Sequence, residues 1–213
     1  KSNEIAQAFR NAVRDVTIDI GAGNAGAVAL EYFASNTGQV WNVALRSSDP
    51  AGAGYAGLNM FADNGPLLVR GLSVEGFDHG IIADCNQLAT FEHVRLARQR
   101  KIGFLSRNKS IVRGLVSDNT VPAVVAGGQS FTLLEAELRA SRVSGGAAIE
   151  LQGEVSALLR DVSAHGYRSL VRTPSQTLAD PILREWTSKP VIRVTDTSPC
   201  GTLRLPIEET PAL

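Results

Sequence analysis

The sequence contains few of the residues that organise a fold around metal ions or disulfide bonds. Cys85 and Cys200 are the only cysteines among 213 residues, and they match no zinc-ligand spacing. They could be two unlinked thiols, with Cys85 partly buried, or they could form one disulfide bond. The cysteine count therefore excludes a small disulfide-rich scaffold and leaves the hydrophobic core to stabilise the fold.

An excess of charge of one sign is also absent, because 21 lysines and arginines balance 21 aspartates and glutamates. We therefore expect neither nucleic acid nor a membrane surface as a partner. No apolar run reaches the length that a bilayer span requires. No stretch keeps a helical apolar spacing, and glycine and proline lie between short apolar runs, which predicts strands joined by turns.

A short motif recurs along the chain, for example V-R-G-L-S-V at 69–74 and L-R-D-V-S-A at 159–164. The intervals between successive copies are 27, 29, 22, 21, 21, 26 and 24 residues, which is typical of a solenoid. The fourth positions of the eight copies are Val16, Val43, Leu72, Val94, Leu115, Ala136, Val162 and Trp186. We expect Trp186 to close the far end of the solenoid.

In each copy two apolar residues stand three positions apart, which a flat strand cannot place on one face. A bend between them can do so. The residue before the second apolar position is usually one that tolerates a left-handed backbone, although the two glutamates fit less well. This column consists of Asp15, Asn42, Gly71, His93, Gly114, Glu135, Asp161 and Glu185.

A second alternating strand follows in each repeat, and it starts at a small residue. The pattern predicts an all-β, parallel β-solenoid of about seven to eight coils. We expect one domain over 1–213, with a lead-in or cap at 1–12, coils at 13–190 and an extended tail at 191–213. The predicted inward residues are Val16, Ile18, Val43, Leu45, Leu58, Met60, Leu72, Val74, Ile81, Val94, Leu96, Phe104, Leu115, Val124, Leu138, Ile149, Leu151, Val162 and Leu170.

Four runs carry a resemblance to a known family: V-R-D-V-T-I-D-I-G-A-G-N-A-G-A-V (13–28), V-E-G-F-D-H-G-I (74–81), V-P-A-V-V (121–125) and L-P-I-E-E-T-P (205–211). They resemble bacterial proteins of the pectate-lyase (pectin-lyase-like) superfamily, which are related to polygalacturonases and family 55 glucanases. The resemblance implies a right-handed parallel β-helix with a glycan site on the outer face of one sheet. The leading D-F-G-A-x-G-D-G-like segment of that family and the polygalacturonase motifs N-T-D and G-H-G are missing. The chain opens at Lys1, already close to a repeat, so we expect a fragment or mature segment.

The second strand supplies two outward columns for such a site. The first is predicted to hold Ala29, Asn59, Ile82, Leu105, Val125, Glu150 and Val171, and the second Glu31, Phe61, Asp84, Arg107, Gly127, Gln152 and Thr173. Two coils separate Glu31 from Asp84, so about 9–10 Å would separate them. Inverting glycosidases hold their carboxyl groups about 6.5–9.5 Å apart. If the protein is an enzyme, Glu31, Asp84 and Glu150 are the candidate catalytic residues.

Glycan binding combines aromatic side chains with polar partners for the sugar hydroxyls. Trp41 is a candidate for sugar stacking because it occupies an outward column that otherwise holds mostly charged residues. The candidate carbohydrate-binding residues are Trp41, Tyr32, Tyr55, Asn59, Phe61, Asp84, Arg107 and Gln152.

The sequence favours a secreted, monomeric module that recognises a polysaccharide such as xylan, β-glucan or pectin. One alternative is a glycoside hydrolase or polysaccharide lyase, and another is a structural or adhesion solenoid. No cofactor is expected, and calcium binding lacks support from any cluster of acidic ligands.

Overall fold

The computed structural model describes residues 8–61 and 64–190, and these residues form strands and turns without a helix. The described strands are β1 (Ala12–Asp19), β2 (Val28–Tyr32), β3 (Gly38–Arg46), β4 (Ala56–Met60), β5 (Leu67–Glu75), β6 (His79–Ala83), β7 (Ala89–Ala97), β8 (Ile102–Ser106), β9 (Lys109–Asp118), β10 (Val124–Ala126), β11 (Ser130–Leu151), β12 (Ser156–Arg172), β13 (Thr177–Leu178) and β14 (Ile182–Thr187).

The strands stack as a parallel β-solenoid of about seven coils, which confirms the predicted fold class. One stack, which we call sheet A, contains β1, β3, β5, β7, β9 and the first halves of β11 and β12. The other stack, sheet B, contains β2, β4, β6, β8, β10 and the second halves of β11 and β12. Residues two dozen positions apart thereby become neighbours.

Each strand of sheet A bends at a single residue with a left-handed backbone, as the motif predicts. The φ angle is 53° at Asp15, 54° at Glu135 and 68° at Gly114. Seven of the eight predicted positions have positive φ, namely Asp15, Asn42, Gly71, His93, Gly114, Glu135 and Asp161. The stacked coils hold Glu135 in this conformation even though a glutamate has no intrinsic preference for it.

The eighth copy of the motif does not form a parallel coil, so the prediction for this segment is wrong. It forms β14, which runs antiparallel to β12 and pairs Trp186 with Leu159 and Glu185 with Arg160. The indole of Trp186 packs against the end of the core, as expected for a residue that closes the solenoid. An antiparallel strand suits this place because it ends the stack without presenting the same edge again.

The predicted inward residues form the core, with two exceptions in the first coil. Val16 is 42% exposed and Ile18 is half-buried. Both lie on β1, which has a described neighbour on one side only. Every other predicted inward residue is buried. Phe104 is fully buried at the centre, with its ring centroid 4.9 Å from that of Phe91 and 6.2 Å from that of Phe131.

The small residue that opens each strand of sheet B has a packing reason. A Cβ atom added at Gly103 would lie 2.5 Å from the carbonyl oxygen of Ala123 in the next coil. Only a glycine at position 103 allows the two backbones to approach so closely.

The structure describes only residues 8–12 of the predicted lead-in and none of the predicted tail. Residues 1–7 of the lead-in and the tail 191–213, including Cys200, lie outside the described residues. Phe9 forms a parallel bridge with Ser35 ahead of the first coil.

Cys85 is a free thiol inside the core, and burial raises its pKa to about 12. None of the described residues belongs to a helix that could span a membrane.

Candidate functional site

The outer face of sheet B differs from the predicted glycan-binding face in its register. The observed first outward column runs Glu31, Asn59, Ile82, Leu105, Val125, Glu150 and Arg172. Ala29 and Val171 are therefore wrongly placed in the prediction. Glu31 was predicted to lie in the second column beside Phe61, but it lies in the first column beside Asn59. Phe33 is the residue that stacks on Phe61.

This register separates the three candidate catalytic carboxylates. Glu31 aligns with Asn59 and Ile82, so it does not share a column with Asp84, and the predicted separation of about 9–10 Å is wrong. Glu150 shares the column of Glu31 but lies five coils away, about 24 Å along the axis. Each of the other two acids has a basic neighbour: Asp84 lies 4.0 Å from Arg107, and Glu150 accepts a hydrogen bond of 2.6 Å from Arg172.

Several predicted glycan-binding residues lie on or beside the outer face of sheet B. Phe61 is 38% exposed and stacks on Phe33, with ring centroids 5.4 Å apart and planes within 6°. Tyr55 is 40% exposed and contacts His79 edge-on, and burial lowers the pKa of that histidine. Asn59 is half-buried. Arg107 and Gln152 are exposed at the turn that follows the sheet, and Asp84 beside them is half-buried.

Two further predicted residues are not on this face. Tyr32 is buried in the core, where its hydroxyl donates a hydrogen bond of 2.6 Å to the carbonyl oxygen of Asn11. It cannot contact a polymer, and the prediction for Tyr32 is wrong. Trp41 lies on the outer face of sheet A, where the guanidinium groups of Arg14 and Arg70 stand 5.8 and 5.2 Å from its ring centroid. These two cations lie over the ring of Trp41, so a sugar would have to displace one of them to stack there.

A shallow concave surface among the described residues runs along the bend of sheet A. We call it the bend groove and define it by two columns of outward residues. One column is the left-handed series, Asp15, Asn42, Gly71, His93, Gly114, Glu135 and Asp161. The other lies two positions later and consists of Thr17, Ala44, Ser73, Arg95, Val116 and Glu137.

The groove consists of two cavities on adjoining coils. The first, of about 300 Å³, spans coils one to three, and the second, of about 350 Å³, spans coils four to seven. The two cavities share no lining residue, but the same two columns line both, so they follow one another parallel to the solenoid axis. Six coil spacings, about 29 Å, separate the first coil of the bend groove from the seventh.

The second cavity carries most of the titratable side chains. Glu135 accepts a hydrogen bond of 2.9 Å from Nε of Arg113, and Glu137 accepts one of 3.0 Å from Nε of Arg139. Arg95 and Asp161 form no ion pair with any described residue, and both are exposed to the groove. The cavity therefore offers both cationic donors and carboxylate acceptors for the hydroxyl groups of a ligand.

Small residues keep the first part of the groove open. Its walls include Ala44, Gly71 and Ser73, while Asn42 donates a hydrogen bond of 2.8 Å to Asp15. In the second part, a side chain at Gly114 would begin 3.1 Å from Nδ1 of His93, so glycine leaves space for the imidazole. The groove thus alternates polar side chains with gaps along its length.

The sequence contained a signal for this groove. The repeat predicted a column of bend residues that tolerate a left-handed backbone, and all members of this column other than glycine are polar. A left-handed residue at a bend leaves its side chain outside the core, so a polar column there indicates a solvent-facing ladder.

Neither a scan against models of known protein families nor a search of curated proteins finds a match to this chain. Among residues 8–61 and 64–190, no group of three or more histidine, cysteine, aspartate or glutamate side chains is arranged to hold a metal ion. The geometry of the solenoid therefore carries the functional argument.

Proposed function

We propose that this protein is an extracellular polysaccharide-recognising solenoid that binds an extended glycan along the bend groove. The observation that carries the proposal is the bend groove, whose two cavities follow the axis over about 29 Å and present polar side chains on six of the seven coils. A linear polysaccharide presents hydroxyl groups at regular intervals, so its repeat matches a ladder better than a compact ligand would. Xylan, β-glucan and pectin are the proposed ligand classes.

We also propose that the chain is related to the pectate-lyase-superfamily parallel β-helix proteins. The support is the parallel solenoid together with the four sequence runs that resemble that group. The proposed site differs from the predicted one, since it follows the bend of sheet A and not the outer face of sheet B.

A substitution that fills the groove tests the binding site. Ser73 is exposed on the wall of the first cavity, and a tyrosine there would occupy the groove without entering the core. We expect Ser73→Tyr to weaken the affinity for the polymer at least about tenfold, which corresponds to about 1.4 kcal/mol, in isothermal titration calorimetry.

The matched control is Glu31→Tyr, which adds the same side chain at an exposed outward position of sheet B. This variant should bind as the wild-type protein does. Equal weakening by both variants would move the site out of the bend groove, and no binding of any polymer by the wild type would reject the proposed function.

A glycoside hydrolase is the second candidate, and one observation favours it. Glu135 and Asp161 face the same cavity from adjacent coils, with their backbones about 4.8 Å apart. Glycosidases use two carboxyl groups that face one bound sugar. If the protein cleaves its ligand, Glu135→Gln should abolish the release of reducing sugar while binding persists, and Glu31→Gln should leave the release unchanged.

A further inference from the structure

The two ends of the solenoid differ in how the core is covered. At the far end β14 pairs with β12, and Leu183 and Trp186 pack against the core. At the near end β1 pairs, among the described strands, with β3 alone. Val16 on β1 is 42% exposed, whereas its equivalent Val43 in the next coil is 1% exposed. The first coil therefore presents an uncovered apolar side chain together with a strand edge that can pair.

The far end shows which kind of strand fits such an edge. β14 and the first half of β12 are both copies of the repeated motif, L-R-E-W-T at 183–187 and L-R-D-V-S at 159–163. They run antiparallel, and the first position of each copy lies opposite the fourth position of the other. These two apolar pairs are Leu159 with Trp186 and Val162 with Leu183.

The charged positions of the two copies also match. The second position of β12, Arg160, lies opposite the third position of β14, Glu185. Their side chains form an ion pair of 3.0 Å. One copy of the motif thus pairs with another through two apolar contacts and one contact between opposite charges.

This register is self-complementary, because exchanging the two strands leaves the list of opposed positions unchanged. β1 carries the same motif as V-R-D-V at 13–16. We propose that β1 is a dimer interface, at which a second copy of this chain adds its own β1 antiparallel in the register that β14 takes on β12. Val13 of each copy then lies opposite Val16 of the other copy.

Charge complementarity favours a second copy as the occupant. In this register Arg14 of each copy lies opposite Asp15 of the other, in the place that Arg160 and Glu185 occupy at the far end. Both Arg14 and Asp15 are exposed, and the two-fold symmetry forms the contact twice. Both copies use the same surface, so the assembly closes at two chains.

The same symmetry brings the two core ends together. A two-fold axis that crosses sheet A between the paired strands keeps the inward side of both β1 strands on one side of the joined sheet. Val16 and the half-buried Ile18 then leave water against the other copy. Burial of this apolar surface stabilises the dimer.

Sedimentation equilibrium on the 213-residue chain, without any polymer, tests the proposal. The mass should approach twice the 22.6 kDa of one chain as the protein concentration rises. Arg14→Glu sets glutamate opposite aspartate at both contacts, so it should raise the dissociation constant of the dimer at least about tenfold. Asp15→Arg added to this variant restores opposite charges and should recover most of the affinity. Glu135 shows that a longer side chain fits the left-handed bend position.

The matched control is Arg184→Glu. It makes the same change at the same position of the motif, on β14, where Arg184 is exposed. This variant should dimerise as the wild-type chain does. Hydrogen exchange at high and low protein concentration locates the contact, because the amides of β1 should be slowed by dimer formation while those of β9 are not.

A wild-type chain that keeps the mass of a single chain at millimolar concentration would overturn the proposal. An assembly of three copies would do the same, because the proposed interface closes at two. Equal weakening by Arg14→Glu and Arg184→Glu would move the contact away from β1. A dimer that Arg14→Glu weakens and Asp15→Arg does not restore would reject the proposed register.

Discussion

Replacement of Phe104 by alanine is expected to lower the free energy of unfolding by about 3–5 kcal/mol. The ring is fully buried and meets the edge of Phe91 at 87°. It also contacts Phe131, so one ring from sheet B touches two rings of sheet A, in coils four and six. A solenoid stabilises itself through contacts between neighbouring coils, so a cavity at this point weakens several interfaces together. Urea denaturation followed by circular dichroism measures the change.

The control for this prediction is Phe61→Ala, which removes the same ring from a partly exposed position outside the core. We expect a loss of less than about 1.5 kcal/mol, because only part of the ring leaves water on folding. A Phe104→Ala variant as stable as the wild type would show that the coils do not pack around this ring.

The second large effect is expected at the closed end of the solenoid. Arg160 and Glu185 form an ion pair of 3.0 Å, and their side chains are only 11% and 8% exposed. Glu185→Ala leaves the guanidinium of Arg160 buried without this carboxylate, which should lower the free energy of unfolding by about 3–5 kcal/mol. Loss of the pair should also loosen β14, and protection of its amides from hydrogen exchange would report this.

The matched variant removes both charges, as Arg160→Met with Glu185→Leu. We expect it to recover most of the lost stability, because a well-packed apolar pair avoids the desolvation of two ions. A double variant as unstable as Glu185→Ala would place the effect in the packing of β14. Equal stability of Glu185→Ala and wild type would show that this ion pair does not stabilise the closed end of the solenoid.

The repeat predicted the coils well because one requirement recurs in every copy. An apolar residue on each side of a bend must reach the core, so the spacing of Val69, Leu72 and their equivalents predicted both the strand and the bend. The left-handed residue followed from the same spacing. The last copy misled the prediction because the pattern around Trp186 specifies which side chains turn inward, and an antiparallel strand satisfies the same pattern.

The register of sheet B was harder to predict. A shift by two residues keeps every side chain on its original face, so alternation alone could not place Glu31 opposite Asn59. At the far end, register shifts between Arg139 and Ala147 carry an irregularity into β11, and Val171 turns inward where an outward residue was expected. The separation of the candidate acids depended on this register and was therefore predicted incorrectly.

The face available to a ligand could not be predicted from the columns alone. Ile82 and Val125 were predicted as outward residues of a glycan-binding face, and their burial depends on contacts that a strand pattern does not contain. The bend groove depends on the angle between the two halves of each strand of sheet A. The positions of His93, Glu135 and Asp161 were known from the sequence, but the concave surface between the columns follows only from the folded backbone.

The most direct test of glycan binding along the coils is the affinity for oligosaccharides of increasing length, measured by calorimetry with xylan- and β-glucan-derived series. A groove of about 29 Å predicts that affinity rises with each added sugar until the groove is filled, and that Ser73→Tyr shortens the range over which it rises. An affinity that is already constant from the disaccharide onward, or that Ser73→Tyr leaves unchanged at every length, would contradict binding along successive coils.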